Sequence, residues 1–327
     1  MLGGLWGAGA SRCNAARAVD FLGRGHDLVS CHTGGPLTPT FTISPASPPI
    51  SPHAAPSDPA ASAVAIDGLE ISFHTPGQAP YTAVKDVGFA VAAHEFVAIV
   101  GPTGCGKSTV LNAAAGLLKP SAGRVQVFGA PLAGLNKAAG YLFQQDALMP
   151  WKTALENVAI ALTVAGVPAR EAEARAREWL ARVGLSAFVD RYPHMLSGGQ
   201  RKRVGLAQVL IRDPRIILMD EPFGPLDAQT RVIMGDLLLK LWSSDRKAAM
   251  FITHDLEEAI ALADRVLIMS AGPASRIIGD YRIPLARPRD VADIKLDPQF
   301  HALHREIWNA LKAEVLKGYQ QTEEGLR

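Results

Sequence analysis

The apolar run Glu95-Phe-Val-Ala-Ile-Val100 leads straight into Gly101-Pro-Thr-Gly-Cys-Gly-Lys-Ser-Thr109. A buried strand, a glycine-rich turn and a helix opening on Lys-Ser-Thr together fit G-x-x-x-x-G-K-[ST]. The glycines let backbone N–H groups curl around phosphate oxygens, and the helix start adds a favourable dipole. Lys107 reaches for the β- and γ-phosphates, and the Ser108 hydroxyl is a ligand for Mg²⁺. Gly101, Pro102, Thr103, Gly104, Cys105, Gly106, Lys107, Ser108 and Thr109 are therefore candidate nucleotide-binding residues. Cys105 reads as a small filler, because no base or metal-ligand pattern surrounds it.

Such a loop needs a parallel sheet behind it, and the rest of the chain offers one. Ile216 to Met219, Ala249 to Thr253 and Val266 to Met269 read as further buried strands, with helix-like stretches between them. Val64 to Ile71 and Val87 to Val91 alternate like edge strands, and Gly123 to Gly129 is another short strand. Gly106 to Leu118 reads as a helix ended by Lys119-Pro120, and two more helices are expected between Ala154 and Val183, parted by Gly166-Val167-Pro168. The Ile216-Ile-Leu-Met-Asp-Glu221 strand ends on two carboxylates. Burying such a pair is costly unless it serves chemistry. Asp220 is the candidate for the Mg²⁺ shell, and Glu221 the candidate to polarise an attacking water.

Residues 1–62 differ from the remainder: Pro36 to Pro59 holds eight of the 23 prolines, among Ser, Thr and Ala. A segment of that composition buries too little apolar surface to offset its ordering entropy, so it is expected to be a disordered extension, with a docking tail as the alternative. The 327 residues carry a net charge of +2, which gives no bulk electrostatic case for nucleic acid or for a membrane surface. No apolar run reaches the length of a membrane span, and the three scattered cysteines suit a reducing compartment.

Leu196-Ser-Gly-Gly-Gln200 stands about twenty residues before the Asp-Glu pair, and with it the motifs resemble the ATP-binding cassette ATPases over about residues 64–270. The resemblance implies an α/β P-loop NTPase core of RecA-like type, with an antiparallel β edge and a helical signature subdomain at about 146–206. The cassette would occupy 63–327, with a short C-terminal helical extension at about 285–320. It gives Gln144 the Q-loop role of sensing Mg²⁺ and the attacking water, His254 a γ-phosphate contact and Asp227 a D-loop position across an interface. It further implies a head-to-tail dimer, in which Leu196, Ser197, Gly198, Gly199 and Gln200 of one copy close over ATP and Mg²⁺ held by the other. The adenine-stacking aromatic is expected to be Phe73, with Tyr81 second. Two departures stand out. Pro225 occupies a D-loop position where Ala or Ser is usual, and Lys202, which replaces a frequent Gln, reads as neutral.

Among cassettes, no long insertion for DNA work separates Lys107 from Ser197, and there is a single cassette without membrane helices. That leaves a separate ATPase subunit. The segments Phe143-Gln-Gln-Asp-Ala-Leu-Met-Pro-Trp151, Asp220 to Arg231, Ile278 to Arg289 and Asp297 to Trp308 resemble the nitrate/sulfonate/taurine importer ATPases. The implied partners are a second copy, permease subunits docking near Leu148, Met149, Pro150 and Trp151, and indirectly a periplasmic substrate-binding protein, but no nucleic acid. The implied place is the cytoplasmic face of the bacterial inner membrane. Alternatives are an importer ATPase of thiamine-precursor or riboflavin type, or a non-transport cassette switch.

Overall fold

The computed structural model describes residues 62–325, residues 75 and 78 excepted. The extension expected over 1–62 lies outside these, apart from Ser62, which is buried and begins the first strand. Two sheets organise the chain. One is antiparallel, in the order β2-β1-β4-β5, from β1 (Ser62–Phe73), β2 (Tyr81–Ala92), β4 (Ala122–Val127) and β5 (Ala130–Pro131). The other has the order β10-β9-β3-β8-β7-β6. Its strands are β3 (Phe96–Val100), β6 (Ala139–Leu142), β7 (Ile216–Asp220), β8 (Ala248–Ile252), β9 (Arg265–Met269) and β10 (Ile277–Arg282). All neighbours in this second sheet pair in parallel except β10, which runs antiparallel to β9. Strand β1 is not an edge, as its alternation suggested, because it pairs with both β2 and β4.

Every residue of β3 and β8 is buried, because both faces of the parallel sheet are covered. Phe96, Ala98 and Val100 point to one core, which they share with Leu238 and Trp242 of α5 (Ala228–Ser244) and with Ala259 and Ile260 of α6 (Leu256–Leu262). Val97 and Ile99 point to the other, against Val110 and Leu111 of α1 (Lys107–Ala114) and the inner face of the antiparallel sheet. Helix α1 stops short of the expected Leu118, since Gly116 turns to a φ of 72°. A third core joins α2 (Ala154–Thr163), α3 (Ala169–Arg182) and α4 (Gly198–Leu210). In α3 the buried residues Ala172, Ala176 and Leu180 recur every four positions, and its charged residues face out.

The C-terminal helix starts later than the expected residue 285 and runs past residue 320. Residues 285–297 carry only a short 3-10 turn, and α7 (Pro298–Gly325) then runs for 28 residues. Phe300, Ile307 and Leu311 lie on one helical face and enter the core beside α6.

Arg265 fastens the two sheets together. Its guanidinium donates from Nε and Nη2 to both Asp280 oxygens at 2.6 and 2.7 Å, and from Nη1 to the Ala90 carbonyl of β2 at 2.9 Å. Only 5 % of the residue is exposed. Arg265→Ala leaves Asp280 without its charge partner, so unfolding by urea is expected to reveal a loss of about 3–5 kcal/mol. A change under about 1 kcal/mol would assign Asp280 to solvent.

Candidate functional site

Strands β3, β6, β7 and β8 are parallel and in register, so their carboxyl ends meet at one edge of the sheet, where ligands of open α/β sheets bind. The loops leaving those ends carry the P-loop, Gln144, Asp220 with Glu221, and His254. A cleft of about 320 Å³ opens there, lined by Thr103, Gly104, Gly106, Lys107, Ser108, Thr109, Gln144 and Glu221.

The P-loop turn is held by contacts that exclude side chains. Gly106 has a φ of 91°, and a Cβ on it would lie 2.6 Å from Val84 Cγ1. Ser275, fully buried, donates its hydroxyl to the Cys105 carbonyl from the β9–β10 connection. Cys105 is buried, and burial pushes its thiol up, as expected for packing rather than reactivity. Lys107 is 6 % exposed and donates to the carbonyls of Gly101 and Pro102 at 3.0 and 2.9 Å.

Around the cleft the polar groups converge. Ser108 Oγ donates to Asp220 Oδ1 at 2.8 Å. Gln144 Nε2 donates to Glu221 Oε2 at 3.3 Å, and His254 Nδ1 lies 3.2 Å from the same oxygen. Glu221 holds a φ of 40°, a left-handed conformation that costs free energy in a non-glycine residue and recurs at reactive sites. Burial, and secondarily the neighbouring Glu221 charge, push the Asp220 carboxyl up despite the Ser108 hydrogen bond. The two acids therefore make a locus short of positive charge. The Ser108 hydroxyl, the Asp220 carboxylate and the Gln144 amide are hard oxygen donors of the kind Mg²⁺ takes when phosphates supply the remaining ligands. Among the described residues no cluster of three or more His, Cys, Asp or Glu could hold a metal alone.

Tyr141 was not read from the sequence as a site residue. Its hydroxyl donates to Asn112 Oδ1 at 2.9 Å and lies 3.4 Å from Asp220 Oδ2. Burial and the Asp220 charge push its phenol up, so it stays a neutral donor. Phe73 and Tyr81 pair across β1 and β2, and they are 43 % and 50 % exposed. A Cβ on Gly272 would lie 3.6 Å from the Gly104 carbonyl and 4.0 Å from the Tyr81 hydroxyl, which places Tyr81 at the flank of the P-loop.

The signature pentapeptide does not line this cleft. It is the N-terminus of α4. Ser197 is the N-cap, and it forms a capping box in which Ser197 Oγ accepts from Gln200 N and Gln200 Oε1 accepts from Ser197 N. The first-turn N–H groups of a helix lack intrahelical acceptors and attract anions. Gly199 permits a close approach: a Cβ there would lie 2.6 Å from Thr230 Cγ2. Leu226 lies beside Gly198, and Asp227 caps α5 through Thr230 N at 2.9 Å. The signature and Asp227 thus lie side by side, and neither lines the cleft. In the turn before Asp227 the N–H donors are Gly224 and Leu226, and Pro225 is exposed, so proline costs no hydrogen bond there.

Leu148 and Met149 are half-buried, Pro150 is exposed and Trp151 is 73 % exposed. The loop is nonetheless fixed. Fully buried Asn157 accepts from Met149 N at 2.7 Å and donates to the carbonyls of Met149, Lys152 and Thr153.

A family model described as ABC transporter matches residues 84–224. Taurine import ATP-binding protein TauB of Rhizobium johnstonii is 45 % identical over 228 residues, covering 69 % of this chain and 87 % of that protein. TauB of Pseudomonas aeruginosa is 42 % identical over 245 residues, covering 74 % and 92 %. An uncharacterized ABC transporter ATP-binding protein of Methanocaldococcus jannaschii is 43 % identical over 235 residues, covering 72 % and 86 %. Among solved structures, the ATP-binding cassette MJ0796, dimeric in a post-hydrolysis state with ADP and Pi, is similar with a TM-score of 0.61 and 31 % identity, covering 68 % of this chain and all of that one.

Proposed function

The chain belongs to the ATP-binding cassette family of transporter ATPases, and from that membership we propose that it powers an importer of a small sulfonate-, nitrate- or taurine-like solute as a head-to-tail dimer docked on a separate permease. The observation that carries the reading is the division of the site. The phosphate loop, Gln144 and Glu221 line one cleft, with Asp220 and His254 bonded to its lining residues, while the signature at the N-terminus of α4 lines no part of it. A second copy supplies the missing cover.

Within each cleft the P-loop amides and Lys107 bind and orient the β- and γ-phosphates of ATP. Ser108, Asp220 and Gln144 would hold Mg²⁺, which would neutralise charge on the phosphate oxygens. Glu221 accepts the proton of the attacking water, fixed toward it by Gln144 and His254, which meet at its Oε2. Ser197, Gly198 and Gly199 of the opposite copy close over the γ-phosphate and exclude bulk water, and Asp227 crosses the same seam. Phe73 stacks on adenine, with Tyr81 as the other candidate.

Transport, rather than a free-standing switch, is favoured by Trp151: a large aromatic held out on a loop braced by buried Asn157 suits a docking partner. In membranes containing the permease, which would place the subunit on the cytoplasmic face, Trp151→Ala is expected to lower co-sedimentation by at least about tenfold while ATPase of the isolated subunit stays within about twofold. Unchanged co-sedimentation would remove the docking assignment and leave the switch reading. The cargo is tested by growth of a deletion strain on taurine or nitrate as sole sulfur or nitrogen source. Normal growth on both would favour another small organic solute.

A further inference from the structure

Lys202, the fifth residue of the signature helix, is 3 % exposed yet ionisable. Its ammonium donates to the Gln144 carbonyl at 2.6 Å and pairs with Asp146 Oδ1 at 3.0 Å. A buried ammonium is costly unless both charge and donors are satisfied, so this position is tightly specified. Asp146 takes a second cation on its other oxygen, Arg201 Nε at 2.7 Å, and Arg201 Nη1 donates at 2.7 Å to the carbonyl of Leu196, the first residue of the signature. Burial alone would raise the Asp146 carboxyl, but these two cations outweigh it and hold it below the usual range. The contacts form one unbroken path, from Glu221 through the Gln144 side chain and backbone, Lys202, Asp146 and Arg201, to Leu196.

We propose that Lys202, with Asp146 and Arg201, is a positioning cluster that locks the Q-loop glutamine and the signature into one unit, so that the group serving a subunit's own ATP moves with the group serving the opposite ATP. The inference rests on the head-to-tail reading above. A neutral amide at 202 could satisfy the Gln144 carbonyl, but it would leave Arg201 as the cation on Asp146 and replace the ammonium–Oδ1 ion pair by a weaker neutral hydrogen bond, which is why the lysine matters here.

Lys202→Met in the full-length protein removes the ammonium and keeps the stem. The steady-state kcat is expected to fall about tenfold while the Kd of the monomer for a fluorescent ATP analogue changes less than about twofold, because the P-loop is untouched. Asp146→Asn is expected to give the same split. The deciding measurement is a mixed dimer of one wild-type and one Lys202→Met subunit. A unit that serves both sites brings its rate well below half of wild type, whereas a residue acting only on its own site leaves about half. A rate at half, an unchanged kcat, or a joint loss of kcat, nucleotide affinity and thermal stability would each overturn the proposal. Failure of the dimer reading itself shows separately, as an absence of ATP-dependent dimers in the protein with Lys202 intact.

Discussion

Glu221→Gln is expected to bind ATP, assemble into a stable dimer and turn over at least about a hundredfold more slowly than the parent protein. General-base catalysis contributes roughly 10²–10⁴-fold, or about 2.7–5.4 kcal/mol in the barrier. Glutamine keeps the volume of the side chain and an oxygen that can still meet His254 Nδ1 and Gln144 Nε2, which contact Glu221 Oε2 at 3.2 and 3.3 Å. It loses the basic lone pair. It also loses a negative charge that, beside Asp220, repels the γ-phosphate and lifts the Asp220 carboxyl. Removing it should therefore slow chemistry and tighten the ATP-bound pair together. Size-exclusion chromatography with Mg-ATP and phosphate release in a single turnover measure both. Steady-state turnover within a few-fold of the parent would take the general-base role away from Glu221.

The elements legible in the sequence were those whose physics is local. Strand β3 and the P-loop announce themselves because a fully buried parallel strand is a continuous apolar run and the phosphate turn requires fixed glycines. The same holds for β7, which ends on Asp220. Less legible were elements set by distant partners. Strand β6 is four residues with a glycine at its second position, and its pairing with β7 defines it more than its composition does. Strand β10 mixes polar and apolar residues because it lies at the edge beyond β9. Helix α7 begins at Pro298 rather than near residue 285, because proline is favoured at a first helical position, and only one of its faces meets the core. Within the site, the convergence of Gln144, Glu221 and His254 follows once four strands are parallel and in register. The polar braces Tyr141, Asn157 and Lys202 could not be read in this way. Tyr141 and Lys202 find partners 79 and 58 residues away, with no periodic signal to mark them. Lys202, whose replacement of a frequent Gln reads as harmless from the motif, is buried against the Q-loop.

Ser197→Arg is the sharper test of the shared site, because the proposed chemistry of that residue takes place in another molecule's cleft. The substitution does two separable things. It removes the N-cap that accepts from Gln200 N, a local loss of about 0.5–2 kcal/mol that a thermal melt reads. It also sets a long guanidinium on the surface that is to close over the partner's γ-phosphate. Ser197→Ala removes only the hydroxyl and so reports the cap with no obstruction. ATPase of Ser197→Arg is expected to fall by at least about a hundredfold, as for loss of transition-state stabilisation at a phosphoryl centre. The affinity of the isolated monomer for ATP should stay within about twofold of the parent, since none of the signature residues lines the P-loop cleft. In a mixed dimer with Lys107→Ala the two lesions can be sorted onto opposite subunits. The Lys107→Ala subunit has a damaged P-loop and an intact signature, and the Ser197→Arg subunit has the reverse. Head-to-tail pairing places both lesions at one site and leaves the other whole, so the mixture should recover up to about half of the parent rate per dimer when neither variant alone is active. A site completed within one chain predicts no recovery, because each subunit would then carry its own broken half.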